Sequence, residues 1–169
     1  MTELVKLAQR GSAEAFARLI ERNKQSLYKV ARAYFSEPMD VDDAISETVL
    51  ACWTSIRRLR QPENFRTWLI RILINKSNDM LAKRRGCVSL DELPEAAQPV
   101  CNDERIDFES LISLLDERYR PVIVLYYAEE MRIREISEAT GLPEGTVSSH
   151  LRRGREQLAR ILRKDGTLK

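Results

Sequence analysis

The chain has 169 residues, room for one ordinary domain or two small ones, and its 43% hydrophobic and 32% charged content suits a soluble helical protein and excludes a disordered one. Its longest apolar run, residues 122–128, falls short of the ~18 residues a membrane span needs, and the opening MTELVKLAQRG has no hydrophobic signal segment, so export is not expected. The net charge of +2 conceals segregation: six basic residues face Asp79 alone across 66–85, six face Glu156 alone across 146–164, and between them nine acids face Arg105 across 91–117.

In chain order, Thr2 can cap a short helix that stops at Arg10 and Gly11, the glycine suiting a left-handed position after a helix end. Ser12 then caps a second helix, with Glu14 in its first turn. Its apolar residues Phe16, Leu19, Ile20, Leu27, Val30, Ala31 and Tyr34 recur at three- and four-residue steps as far as Phe35, where Ser36-Glu37-Pro38 breaks the pattern. A third helix is expected from Asp40 or Val41 to about Arg60, ending before Pro62.

The fourth, NFRTWLIRILINKSNDMLAKRR across 64–85, is amphipathic. Phe65, Leu69, Ile72, Leu73 and Met80 share one arc, widened by Ile70, Ile74 and Leu81. Trp68 lies outside that arc, on the stripe of Arg71, Asn75 and Asn78, either as a contact residue or as half-buried packing against a neighbouring helix.

From Gly86 to about Glu104 periodicity disappears among Pro94, Pro99 and scattered acids. Fully extended, such a stretch reaches up to ~60 Å, beyond the ~34 Å of one DNA turn, so it reads as a tether. Helical periodicity resumes over 106–115, 119–130, 133–140 and 144–162, with no strand alternation. Basic faces attract nucleic acid and acidic ones repel it, so the charge pattern describes two DNA-contacting modules on a linker that avoids DNA, or else merely solvated surfaces.

IREISEATGLPEGTVSSHLRRGREQL, across 133–158, has the layout of a helix-turn-helix. Ile133 and Ile136 face inward, Gly141 supplies the turn, Leu142 plugs the corner and Pro143 launches the second helix, which Val147 and Leu151 pack inward. Its outward half offers Glu144, Thr146, Ser148, Ser149, His150, Arg152, Arg153 and Arg155 to a major groove, where arginine pairs with guanine and hydroxyls suit phosphates. Gly154 within this helix weakens it by ~1 kcal/mol relative to alanine. Cys52, Cys87 and Cys101 have no CxxC spacing and His150 is the single histidine, so neither a disulfide framework nor a zinc site is indicated. No triad, phosphate loop or paired catalytic carboxylates is present either, which argues against an enzyme and against a cofactor or small-molecule substrate.

Three segments together resemble the extracytoplasmic-function (group IV) sigma factors of bacterial RNA polymerase, in the sigma-70 family. DVDDAISETVLACW (40–53) is similar to the family's polymerase-binding helix, NFRTWLIRILIN (64–75) to its promoter-melting segment, and LPEGTVSSHLRRGRE (142–156) to its minus-thirty-five reader. The resemblance covers nearly the whole chain. It implies an all-α protein of two small helical domains: a domain 2 bundle across 1–86, a flexible acidic linker across 87–104, and a domain 4 helix-turn-helix across 105–169.

The implied role is to bind core polymerase, recognise the minus-thirty-five and minus-ten elements and melt the promoter. Asp40, Asp43, Glu47, Val49 and Trp53 then bind core polymerase through the β′ clamp coiled coil, the β subunit being the second contact. The acids equally suit the early turns of a helix on dipole grounds alone. Asn64, Phe65, Arg66, Trp68, Arg71, Asn75, Lys83, Arg84 and Arg85 take the minus-ten DNA, duplex and melted, with Asn75 at the pocket for a flipped base. Ser46 and Val49 depart from the glutamine and phenylalanine common in the family, as Ser148 and His150 do from its lysines and arginines. An anti-sigma partner, in many relatives membrane-anchored, is implied as well, which holds such a cytoplasmic factor at the inner face of the membrane. The rivals are a stand-alone helix-turn-helix regulator acting without polymerase, and an adaptor whose helices bind only proteins.

Overall fold

The computed structural model describes residues 1–87 and 108–164, in which eight α-helices and two short 3-10 turns are found and no strand. The chain divides into two compact units, Met1–Ala82 and Lys83–Lys169. The acidic linker expected across 87–104 lies, from residue 88 on, outside the described residues.

In the first unit α1 (Thr2–Gln9) ends at Arg10, and Gly11 takes a φ of 99°, which only glycine adopts without strain. Met1, not Thr2, occupies the N-cap, and Thr2 is already helical. Ser12 caps α2 (Ala13–Tyr34) as expected, its Oγ accepting from the Ala15 N–H at 3.2 Å. The Gln9 amide reaches across to the turn after the third helix, donating to the Ile56 and Leu59 carbonyls at 3.1 and 2.7 Å.

Two boundaries differ from expectation. α3 (Pro38–Ser55) starts two residues earlier than Asp40, with Glu37 at the N-cap and Pro38 in the first turn. Proline breaks a helix interior but is preorganised for the first turn, where its missing N–H costs nothing. α3 also stops at Ser55, and a 3-10 turn (Ile56–Arg58) carries the chain onward. A second such turn (Pro62–Asn64) leads into α4 (Phe65–Cys87). Along α4 the buried residues are Phe65, Leu69, Ile70, Leu73, Ile74 and Ser77, while Ile72, Met80 and Leu81 are only half-buried. The inward arc is therefore rotated toward Ile70 and Ile74 relative to the expected one. Cys52 is fully buried and burial pushes its thiol up to about 12, so it is inert packing.

The second unit holds α5 (Phe108–Ser113), α6 (Arg120–Tyr127), α7 (Ile133–Thr140) and α8 (Glu144–Lys164). Val122 to Leu125 of α6 are buried together with Ile112, Leu115, Ile136, Val147 and Leu151. The Arg120 guanidinium donates to the Leu115 and Ser113 carbonyls, both at 2.8 Å, closing the open end of α5. Gly154 explains itself here: a Cβ on it would stand 2.9 Å from Ile123 Cγ1 and 3.4 Å from Tyr119 Cβ. The helix-propensity loss is the condition for α8 to cross α6 this closely.

The end of α6 carries a left-handed cap with an unusual occupant. Glu130 has a φ of 55°, and the Met131 N–H donates back to the Leu125 carbonyl at 3.0 Å, while Met131 itself is buried. This bond spans one residue more than the six-to-one bond of a Schellman cap, and as there the left-handed residue is ordinarily glycine. Replacing Glu130 with glycine is expected to stabilise the second unit by ~1 kcal/mol, because the left-handed penalty on a Cβ is removed. Thermal unfolding followed by circular dichroism measures it.

Candidate functional site

The helix-turn-helix is built as its sequence predicts. Gly141 takes a φ of 75° after α7, the Ser137 hydroxyl donates to the Leu142 carbonyl at 2.6 Å, and the Val147 N–H bonds back to Pro143 at 3.0 Å as α8 begins. At the other end of α7, the Glu135 carboxylate accepts from the Arg132 N–H at 2.8 Å. These bonds satisfy helix-end groups that would otherwise be orphaned, and so fix the angle at which α8 leaves the turn.

On α8, Val147 and Leu151 are buried, whereas Glu144, Ser148, Arg152, Arg153 and Arg155 are exposed. Thr146, Ser149 and His150 are half-buried at the edge of that face. Arg152 is held by Glu156 at 2.8 Å. The His150 ring meets Tyr119 edge-on at a centroid distance of 5.3 Å, and the Arg118 guanidinium lies over the Tyr119 ring, 5.7 Å from its centroid. Arg118 in turn pairs with Asp116 at 2.9 Å. Partial burial of Asp116 works to raise its carboxyl, but the Arg118 hydrogen bonds and charge, with Arg120 behind, hold it below the usual carboxylate range.

Partial burial, then the charges of Arg118 and Arg153, depress the His150 pKa, against smaller opposing effects of the Arg118 backbone and Asp116. At neutral pH its ring is uncharged. Because the unfolded chain binds this proton more readily than the folded one, stability of the second unit falls as pH drops below ~6.5 and through the depressed folded value. Unfolding midpoints between pH 7.5 and 5.5 are expected to show this loss, and His150→Gln to flatten it.

In the first unit, α3 and α4 carry the other predicted residues. Asp43 and Glu47, four apart, are exposed on one face of α3, and Glu47 Oε2 lies 3.5 Å from Lys76 Nζ on α4. Asp40, in the first turn, is instead buried. Val49 is half-buried and Trp53 is 38% exposed. Both line an apolar groove with Ala13, Phe16, Ile45, Ser46 and Leu50, where the Phe16 and Trp53 rings sit 4.9 Å apart. Leu50, 61% exposed at the rim of this groove, was missed by the sequence reading. An apolar residue on the otherwise acidic outer side of α3 was the available signal.

The predicted stripe on α4 rises out of the core step by step. Trp68 and Arg71 are half-buried, Asn75 and Asn78 exposed, and Trp68 packs against Phe65 at 6.0 Å. Phe65, placed among the DNA contacts from sequence, is fully buried because it opens the inward arc of Leu69 and Leu73. Asn64 is exposed and its amide donates to Gln61 at 2.6 Å, while Arg66 reaches Ser26 on α2 at 3.4 Å. Lys83 and Arg84 are exposed, and Arg85 lies in the same helix. Thus Asn64, Arg66, Trp68, Arg71 and Asn75 share one helix and its entry turn, with exposed cations further along.

Among the described residues no cluster of histidine, cysteine, aspartate and glutamate could hold a metal ion, and no helix is long and apolar enough to cross a membrane. The family model described as sigma-70 region 2 matches residues 19–86, and that described as sigma-70, region 4 matches residues 105–158. The chain is 31% identical to the RNA polymerase sigma factor CnrH of Cupriavidus metallidurans, with 94% of this chain and 92% of that protein covered. It is 27% identical to the ECF RNA polymerase sigma factor SigW of Bacillus subtilis, covering 94% and 95%. The solved structure of CnrH in complex with the cytosolic domain of CnrY superposes with a TM-score of 0.66 at 27% identity, over 97% of each chain. The sigma factor RpoE of Bartonella quintana, crystallised with the anti-sigma factor NepR, shares the fold at a TM-score of 0.69 and 20% identity, over 89% of this chain and 98% of that one.

Proposed function

This chain belongs to the sigma-70 family of RNA polymerase sigma factors, in the extracytoplasmic-function group, and from that premise we propose how its two units divide the work of promoter recognition. It binds core RNA polymerase and promoter DNA, a non-enzymatic role. In the first unit, Asp43 and Glu47 supply charge and Val49, Trp53 and Leu50 supply apolar surface for the clamp coiled coil of the β′ subunit. Asp40 serves that surface from beneath, as a buried residue of the helix's first turn. In the second unit, α8 enters the minus-thirty-five major groove with Arg152, Arg153 and Arg155, flanked by Glu144, Thr146, Ser148 and Ser149. His150, packed on Tyr119, sets the edge of that face, and the β subunit takes the other side of the unit.

The observation that carries this reading is the pairing of Glu47 with Lys76: it joins the acidic face of α3 to the helix bearing Trp68 and Asn75 within one small unit. Polymerase on α3 then brings α4 to the minus-ten element. Asn75 receives a flipped base through its amide, Trp68 stacks on another, and Asn64, Arg66, Arg71 and the cations near residue 84 hold the strand. Stacking captures ~1–3 kcal/mol per base, against a mean of ~1.4 kcal/mol of stacking lost per base-pair step. Two captured bases therefore offset the opening of roughly two steps.

The protein works in the cytoplasm with the polymerase, and an anti-sigma factor restrains it, the inner face of the membrane being the place if that factor is membrane-anchored. Relatives crystallised in such complexes support this partner. Purified protein added to core polymerase is expected to give run-off transcripts from specific duplex promoters of its own genome. Tight specific DNA binding without polymerase, and no transcript with it, would show a stand-alone regulator instead.

A further inference from the structure

The hydrogen bond from Arg66 Nη2 to Ser26 Oγ, at 3.4 Å, ties the entry of α4 to one particular face of α2. Residues four before and three after Ser26 project from that same face, since side chains at these spacings stack along a helix. They are Arg22, which is exposed, and Lys29, which is half-buried. Their neighbours show what is unusual about them. Arg18 is paired with Glu14 at 2.8 Å, Lys24 with Glu21 at 3.8 Å, and the Arg32 guanidinium donates to the Ser36 carbonyl. Arg22 and Lys29 have no acid within ion-pair distance among the described residues. Of the five cations on α2, three lack an acidic partner; Arg32 among them is held by the Ser36 carbonyl, and the other two flank the residue touching Arg66.

We propose that Arg22 and Lys29 form a phosphate-binding stripe on α2, onto which the separated DNA strand runs after leaving the minus-ten residues of α4. Charge complementarity and continuity with the Arg66 entry turn single out a nucleic-acid backbone as the occupant. Seven residues of helix separate the two cations, a distance of ~10 Å along the axis, so they engage different phosphates. Contacts of this kind add affinity without reading sequence. The inference rests on the promoter-opening role of α4 proposed above, and it extends the strand's path to an element outside the three motif segments.

The test uses the full-length chain assembled with core polymerase and a fluorescent single-stranded oligonucleotide carrying the minus-ten element, titrated over a range of salt. Arg22→Gln with Lys29→Gln is expected to weaken binding on the order of tenfold near physiological salt and to flatten the log–log salt slope by about 1.4, roughly 0.7 per phosphate released. Lys24→Gln, on another face of α2, is expected to change neither. An unchanged slope in the double variant, with the wild type binding normally, overturns the stripe alone. Loss of assembly with core polymerase at an unchanged slope also overturns it, and assigns the two cations to an acidic protein surface. Failure of the wild-type complex to hold the strand at all overturns the opening role of α4 and the stripe with it.

Discussion

Alanine at both Arg152 and Arg153 is expected to lower promoter-directed transcription by about two orders of magnitude while leaving assembly with core polymerase intact. Each guanidinium that pairs bidentately with a guanine contributes ~1–3 kcal/mol of discrimination, so the pair together accounts for a hundredfold loss without any change in fold. Both side chains are exposed on α8 and neither supports the core, which is made by Val147, Leu151 and Gly154 on the opposite face. They differ in readiness. Arg152 is already engaged by Glu156 at 2.8 Å, and that bond must yield or be shared when DNA arrives. Glu156→Gln is therefore expected to strengthen binding modestly, as an exposed pair is worth only ~0–1 kcal/mol. In fluorescence anisotropy the double alanine variant should lose up to ~0.9 per phosphate contact from the log–log salt slope. An unchanged slope and unchanged affinity would place the minus-thirty-five contact elsewhere.

The second large effect belongs to α4. Trp68→Ala and Asn75→Ala are each expected to reduce transcription from duplex promoters by roughly 5- to 150-fold, the equivalent of ~1–3 kcal/mol per captured base. Templates already unpaired across the minus-ten element should largely rescue Trp68→Ala, since the strand no longer has to be opened. Asn75 is exposed, so its variant should keep the unfolding midpoint of the parent. Trp68 is half-buried and packs on Phe65, and the comparison of templates is decisive for it. Equal loss on both templates together with a lower midpoint would assign the ring to packing alone.

How legible these features were depended on whether the signal was local. Gly141 and Pro143 specify α7 and α8 through backbone conformations that few other residues favour, and both helices begin where the sequence indicated. Ser12 is equally local: one hydroxyl on one N–H. The start of α3 was misplaced because proline has opposite meanings in the interior and the first turn of a helix, and only the flanking geometry decides between them. Ile72 left the expected inward arc for a related reason, whereas Phe65 is buried as that arc indicated. A helical wheel gives the period of an amphipathic face, while the neighbours α4 packs against set its rotation. Asp40 was grouped with Asp43 and Glu47 by the family resemblance and shares their helical spacing, yet in the first turn of α3 it is buried. The Glu47–Lys76 pair and the Arg66–Ser26 contact join residues distant in sequence, and no spacing rule reaches them.

The Gln9 side chain, which ties α1 to the turn after α3, also has a meaning in time. It joins residues 47 and 50 positions apart, so the clasp cannot close while the chain is being synthesised until Leu59 has left the ribosome. Until then α1 is a helix of eight residues, too short to persist alone in water. Chains grow at about 5–20 residues per second, so α1 waits several seconds for its partner carbonyls. Closure can then come before the helix-turn-helix has been made, since its first helix begins at Ile133. The part of the molecule assigned to polymerase and to the opened strand is thus free to assemble while the helix-turn-helix has yet to be translated, and a nascent chain stalled past α4 should already protect the amides of α1 from hydrogen exchange.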